Sequence, residues 1–171
     1  MASGNTLALF DAVDGAPPVT LGATLTNRPG ASTPVELFLV WGFNSGTDSY
    51  LDFRGVMPQH YAGGGISCRL WWGAASATTG DTVWLAALRA FEDDADDIDV
   101  SHTYDFNTVT DTAPSASGEF TVAAITFTNG ADMDNVGAGD FFILRVGRNA
   151  DDGANTMSGD GQLLAIEIRE T

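Results

Sequence analysis

Lysine is absent from the sequence, and the seven basic residues are all arginine, set against 23 aspartates and glutamates for a formal net charge of −16. A field of that sign repels phosphate backbones and anionic lipid headgroups, and no basic stripe reverses it locally, so neither nucleic acid nor membrane is expected as a partner. Cysteine occurs once, at Cys68. That excludes an intrachain disulfide and a zinc-type cysteine cluster, and its place in an alternating run reads as a small core residue rather than a nucleophile. Histidine occurs twice, at His60 and His102. No apolar run approaches membrane-spanning length, and the opening residues MASGNTLALFDAVDG carry neither a basic nor a long apolar segment, so no secretory signal is expected.

What remains is globular. Hydrophobic residues make up 44% of 171 residues and charged residues 18%, enough for one domain that buries roughly 70% of its unfolded surface. Apolar residues recur at every second position rather than at helical spacing. In ISCRLWW, Ile66, Cys68, Leu70 and Trp72 share one face, and Ser67, Arg69 and Trp71 the other. The same period predicts strands over Thr6–Phe10, Val35–Phe43, Ser49–Met57, Ile66–Trp72, Thr82–Phe91, Phe120–Phe127, Phe141–Arg148 and Gln162–Arg169, with a less regular run over His102–Val109. In QLLAIEIRE it sets Leu164, Ile166 and Ile168 against Ala165, Glu167 and Arg169. TVWLAALRAFEDD could be read as helix from its alanines and leucines, but the turn TTGD before it and the alternation of Val83, Leu85, Ala87 and Arg89 favour strand. Only ADMDNV reads as a helical turn.

Between the runs lie segments rich in glycine, proline, asparagine and aspartate. Eight or nine strands without strand-helix alternation predict an all-β antiparallel β-sandwich, a jelly roll of about eight strands. Residues 1–34 have weaker periodicity and hold four of the six prolines. They read as an N-terminal arm with a possible first strand, reaching across a neighbouring subunit, before a jelly-roll domain over 35–171.

The stretch GVMPQHYAGGG poses the question of chemistry. A histidine base needs an orienting partner and a nucleophile on a rigid turn, and no G-x-S-x-G elbow accompanies His60. The stretch reads as a shaped connection, Pro58 ending one strand and Gly63, Gly64 and Gly65 permitting unusual dihedrals before the next. The acidic runs EDDADDID (Glu92–Asp99) and DDGANTMSGDG (Asp151–Gly161) lack the acid spacing and closing glutamate of an EF-hand and read as solvated loops. Trp41, Trp71, Trp72 and Trp84 could form a sugar-stacking platform, although core packing is the simpler reading. No two carboxylates stand out as a glycosidase pair. Catalytic, cofactor-binding and metal-ligating residues are therefore expected to be none, and the chain is not expected to be an enzyme.

The residues FRGVMPQHY, LWW, TTGDTVW, FTNGADMDNVGAGDFFILRVGR and MSGDGQLLAIEIRET resemble a group of small all-β virion structural proteins of tailed bacteriophages. The shared positions here are Gly55, Val56, Met57, Pro58 and Tyr61; Met133, Val136, Ala138, Gly139 and Asp140; Phe142, Leu144, Arg145, Val146 and Arg148; and Thr156, Met157, Gly159 and Asp160. The resemblance covers roughly Tyr50 to Thr171 and marks turns and core positions. It implies a jelly roll made in the host cytoplasm and assembled on the virion. There it would form a homo-oligomer, commonly a trimer, acting as a capsid decoration or cement protein bound to the major capsid protein. The alternatives are a tail-fibre or receptor-binding subunit and, from another class, a carbohydrate-binding jelly-roll module.

Overall fold

Period-two alternation becomes the two faces of two antiparallel sheets. The computed structural model describes residues 4–171, which form ten strands and two single-turn 3₁₀ segments, Ala12–Asp14 and Ala131–Met133. The strands are β1 (Thr6–Asp11), β2 (Thr24–Pro29), β3 (Leu37–Phe43), β4 (Ser49–Val56), β5 (Ile66–Ala74), β6 (Asp81–Phe91), β7 (Asn107–Thr112), β8 (Thr121–Phe127), β9 (Phe141–Arg148) and β10 (Gly161–Glu170). One sheet has the order β2-β3-β10-β5-β8, with β1 also paired to β10; the other has the order β4-β9-β6-β7. The architecture is the expected antiparallel β-sandwich of jelly-roll type.

The core lies between the sheets. From the six-stranded sheet come Ile66, Cys68, Leu70, Trp72, Leu163, Ile166 and Ile168; from the other come Leu51, Phe53, Trp84, Ala86, Leu88, Phe142, Leu144 and Val146, all buried. Aromatic edges meet faces across it, Trp84 with Phe43 at 5.1 Å and with Trp72 at 5.4 Å between ring centroids. Cys68 is fully enclosed, and burial pushes its thiol pKa up to about 12, so it is inert as a nucleophile at neutral pH.

Several sequence expectations shift by identifiable causes. Strand β6 forms as expected, and its helix-like composition arises because Val83, Leu85 and Ala87 are buried on the outer face as well. What covers that face is the segment 92–106: its residues His102–Phe106 alternate like a strand but only lie on the sheet, and pairing starts at Asn107. The expected face of Leu164 is wrong. A register shift between Leu163 and Ala165 turns Leu163 into the core beside Ile166 and leaves Leu164 outside. The expected strand at Val35 begins at Leu37, and β2 was not expected at all. Within the segment read as an arm, β1 pairs with β10 and β2 with β3, and residue 34 falls in the loop joining β2 to β3.

Along one edge β10 serves two neighbours, β3 through Gly161–Leu163 and β1 through Ala165–Arg169. Among the described residues no helix is long and apolar enough to cross a membrane.

Candidate functional site

The motifs behind the phage resemblance come together in space, but as two locks rather than a reactive centre. The Met57 N–H donates to Asp140 O at 2.9 Å and the Gly139 N–H to Met57 O at 2.8 Å, so the G-V-M-P turn is clamped to the A-G-D turn, where Gly139 has φ +93°. The second lock is Arg148, which is fully buried. Its Nη1 donates to Gly159 O at 2.7 Å, its Nη2 to Met157 O at 2.8 Å and its Nε to Asn155 Oδ1 at 2.9 Å. Burial lowers its pKa from the ordinary arginine value, with Asp160 opposing.

His60 is exposed in its turn. The neighbouring Tyr61 is buried, its hydroxyl donating to Gly64 O, and burial raises its phenol pKa. The acidic runs cap their own backbones: the Glu92 N–H donates to Asp96 Oδ2 at 2.7 Å, the Asp99 N–H to Asp97 Oδ1 at 2.8 Å and the Ala154 N–H to Asp152 Oδ1 at 2.8 Å. Among the described residues no group of three or more His, Cys, Asp or Glu is placed to hold a metal ion.

Aromatic side chains reach two outer faces. On the four-stranded sheet the register aligns Tyr50 with Gly147 and Leu85, Asp52 with Arg145 and Ala87, and Arg54 with Ile143 and Arg89. Asp52 accepts two bonds from Arg145, at 2.7 and 2.8 Å; these bonds are the main cause of the raised Arg145 pKa. The segment 92–106 fills this face. Tyr104 lies 4.1 Å under the Arg145 guanidinium, stacks on Phe106 at 5.9 Å, and Phe106 meets Tyr50 at 5.8 Å. Each of these rings has a neighbouring ring or guanidinium against it.

The outer face of the six-stranded sheet is open. Of the four tryptophans, Trp41, Trp72 and Trp84 are buried, and Trp41 is fixed by its Nε1 donating to Ala12 O at 2.7 Å. Trp71 alone retains a solvent-facing edge. Pairing places Asp11, Ala165, Trp71 and Val122 in one row and Leu9, Glu167, Arg69 and Ala124 in the next. Ala165 is the small floor of a groove of about 440 Å³ walled by Trp71 and Leu9 and rimmed by Asp11 and Asp14. Those two carboxylates are held by the DAVD turn: the Val13 N–H donates to Asp11 Oδ1 and the Asp11 N–H to Asp14 Oδ2, each at 2.8 Å. Arg69 lies 5.0 Å over the indole and is held by Glu167 at 3.0 Å. An indole beside fixed carboxylates and a guanidinium can stack on an apolar ring face while accepting and donating hydrogen bonds at its edge. The sequence exposes Trp71 as an outward residue; Asp11, Asp14 and Ala165 were not anticipated, since only strand pairing joins them.

No protein-family model matches the chain, and no curated protein does. Solved structures do. The CBM22-1 xylan-binding domain from Paenibacillus barcinonensis Xyn10C superposes with a TM-score of 0.55 at 8% identity, covering 99% of this chain and 97% of that domain. The CBM22-2 xylan-binding domain of the same protein gives 0.52 at 11%, covering 96% and 99%. The CBM22-1-GH10 modules of Clostridium thermocellum xylanase 10B, complexed with xylohexaose, give 0.51 at 11%, covering 100% of this chain and 29% of that one. The chain shares the jelly-roll β-sandwich of these domains.

Proposed function

We propose that this chain is a non-catalytic carbohydrate-binding module that takes a neutral glycan chain in the groove beside Trp71. The observation that carries the reading is Trp71 itself, the one tryptophan outside the core, on an open sheet face beside Asp11 and Asp14. Sugar C–H faces stack on indole, and the carboxylates accept from sugar hydroxyls. The net charge of −16 argues for a neutral rather than an acidic polysaccharide. Likeness in fold to xylan-binding domains supports the class and makes xylan and xylohexaose the first probes. Affinity electrophoresis against xylan, β-glucan and galactan, followed by calorimetry, is expected to show binding to at least one, lost in Trp71→Ala at an unchanged melting temperature. No binding to any of the three, or equal binding by Trp71→Ala, would overturn the reading.

A second reading takes the sandwich as a virion surface protein, either a capsid decoration or cement protein held by the major capsid protein or a tail-fibre subunit. It is favoured by the two locks, since the residues that carry the phage resemblance bond to one another across three separate segments. Mass spectrometry of purified particles, with copy number taken against the major capsid protein, tests it. Finding no copies on such particles would remove this reading and leave the first intact.

A further inference from the structure

The outer face of the six-stranded sheet carries a second depression beside the Trp71 groove. Alternation along β3 turns Phe38, Val40 and Gly42 to this face, away from the buried Trp41 and Phe43, and pairing sets Arg28 of β2 beside Phe38. Gln162 stands between Gly42 and Gly73 in one row of the same face. The Arg28 guanidinium donates to Ala74 O at 3.0 Å although β3 and β10 lie between its strand and β5, a separation of about 14 Å on a flat sheet. The β2–β3 hairpin therefore curls over the outer face, and Val40 is completely buried although it points away from the core. Across from the hairpin, Gly73 lets the loop between β7 and β8 press onto the sheet, since a Cβ there would meet Glu119 O at 2.6 Å. Between hairpin and loop lies a groove of about 270 Å³, with Phe38 and Phe120 on its walls and Gly73, Gln162 and Leu164 on its floor. The two phenylalanines are 48% and 60% exposed.

This groove and the one beside Trp71 form a single course. Gly73 follows Trp71 on the same face of β5, about 7 Å along the strand, and Leu164 on the floor of one groove adjoins Ala165 on the floor of the other. Their polar groups are complementary. The Trp71 end offers the carboxylates of Asp11 and Asp14, which accept hydrogen bonds. The far end offers donors. Arg28 gives Nη1 to Ala74 O and Gln162 Oε1 and Nη2 to Ser117 Oγ at 3.2 Å, forms no ion pair among the described residues, and has N–H groups to spare. With its Oε1 engaged by Arg28, Gln162 has its amide NH₂ to donate. Apolar walls with a few placed polar groups are the usual make-up of a small-ligand site. A ligand that meets both ends needs apolar faces for an indole and two phenyl rings, with edge groups that donate at one end and accept at the other. A chain of sugar rings has both, because each hydroxyl donates and accepts; a hydrocarbon chain has no such edge.

Given the glycan reading of the Trp71 groove, on which this rests, we infer that the Phe38–Phe120 groove is the second half of the same site, so that its ligand is an oligosaccharide chain crossing the sheet from Asp11 and Asp14 to Arg28 and Gln162. Calorimetry of the full chain with disaccharides and hexasaccharides of xylan, β-glucan and galactan tests it. For a glycan that binds, the hexasaccharide is expected to bind at least about tenfold more tightly than the disaccharide, the gain of further stacked rings. Phe120→Ala is expected to bring the hexasaccharide down to the affinity of the disaccharide at an unchanged melting temperature. Phe38→Ala, on the opposite wall, carries the same expectation and serves if Phe120→Ala disturbs folding. Trp71→Ala is expected to lose both lengths. A hexasaccharide held no more tightly than its disaccharide, or a gain that survives in the folded phenylalanine variants, overturns the inference and leaves the Trp71 site standing. No binding of either length by the wild type overturns both.

Discussion

Arg148 shows what a single side chain holds. Its guanidinium is out of water and bonded to two backbone carbonyls of the loop before β10 and to Asn155, and the charge of Asp160 acts on it without an ion pair among the described residues. A lysine cannot reproduce that planar fork. Arg148→Lys is expected to lower stability by at least about 3 kcal/mol, since several bonds to a buried charge are lost together; denaturant unfolding checks it. Gly65 is a second such position. A Cβ there would sit 2.7 Å from Phe127 O on the neighbouring strand, so Gly65→Ala forces backbone to move and is expected to destabilise by about 1–3 kcal/mol. His60, exposed a few residues away, should change stability by less than about 1 kcal/mol when replaced by alanine. The two variants measured together separate a shaped connection from a catalytic loop; a hydrolytic activity lost on His60→Ala would reverse that reading.

At the level of elements, the segment 92–106 behaves as a strap pinned by rings. Burial is the first cause of the raised phenol pKa of both Tyr50 and Tyr104, with ordinary value 10.0. The unfolded chain releases these protons first, so the stability they confer is intact below about pH 10 and is lost as pH rises through the folded values. The melting temperature is expected to fall steeply above pH 10, less so in Tyr104→Phe, whose ring cannot ionise; a thermal series in alkaline buffer measures both. The strap also shows why some of the fold could be read from sequence and some could not. Alternation is local, so β5, β6 and β9 stand out in the chain. Strand β2 is largely exposed on both faces and carries no such signal, while His102–Phe106 carries it without being a strand, because resting on a sheet imposes the same period as pairing in one. The Trp71 groove draws on positions 11, 14, 71 and 165. Only the pairing of β1, β10 and β5 joins them, and periodicity carries no information about which strands pair.

For the molecule as a whole the charge of −16 is a standing repulsion within the folded body. Raising salt from about 10 mM to about 150 mM shortens the screening length from about 30 Å to about 8 Å, and the melting temperature is expected to rise with it; a fall would mean that attractive pairs such as Asp52 with Arg145 outweigh the excess of acids. The last feature is the position of β10, which joins β1, β3 and β5 in one sheet and is also the tenth of ten strands. During synthesis the β2–β3 and β5–β8 pairs can form as they emerge, but they share no partner until residues 161–170 leave the ribosome. The six-stranded half therefore closes only once β10 has been made. Its apolar faces wait in the open until then, exposed to the aggregation that long-range strand pairing invites. A nascent chain stalled before Gly161 should accordingly be protease-sensitive throughout that half, and holding chaperones have the greatest part of their work to do before β10 emerges.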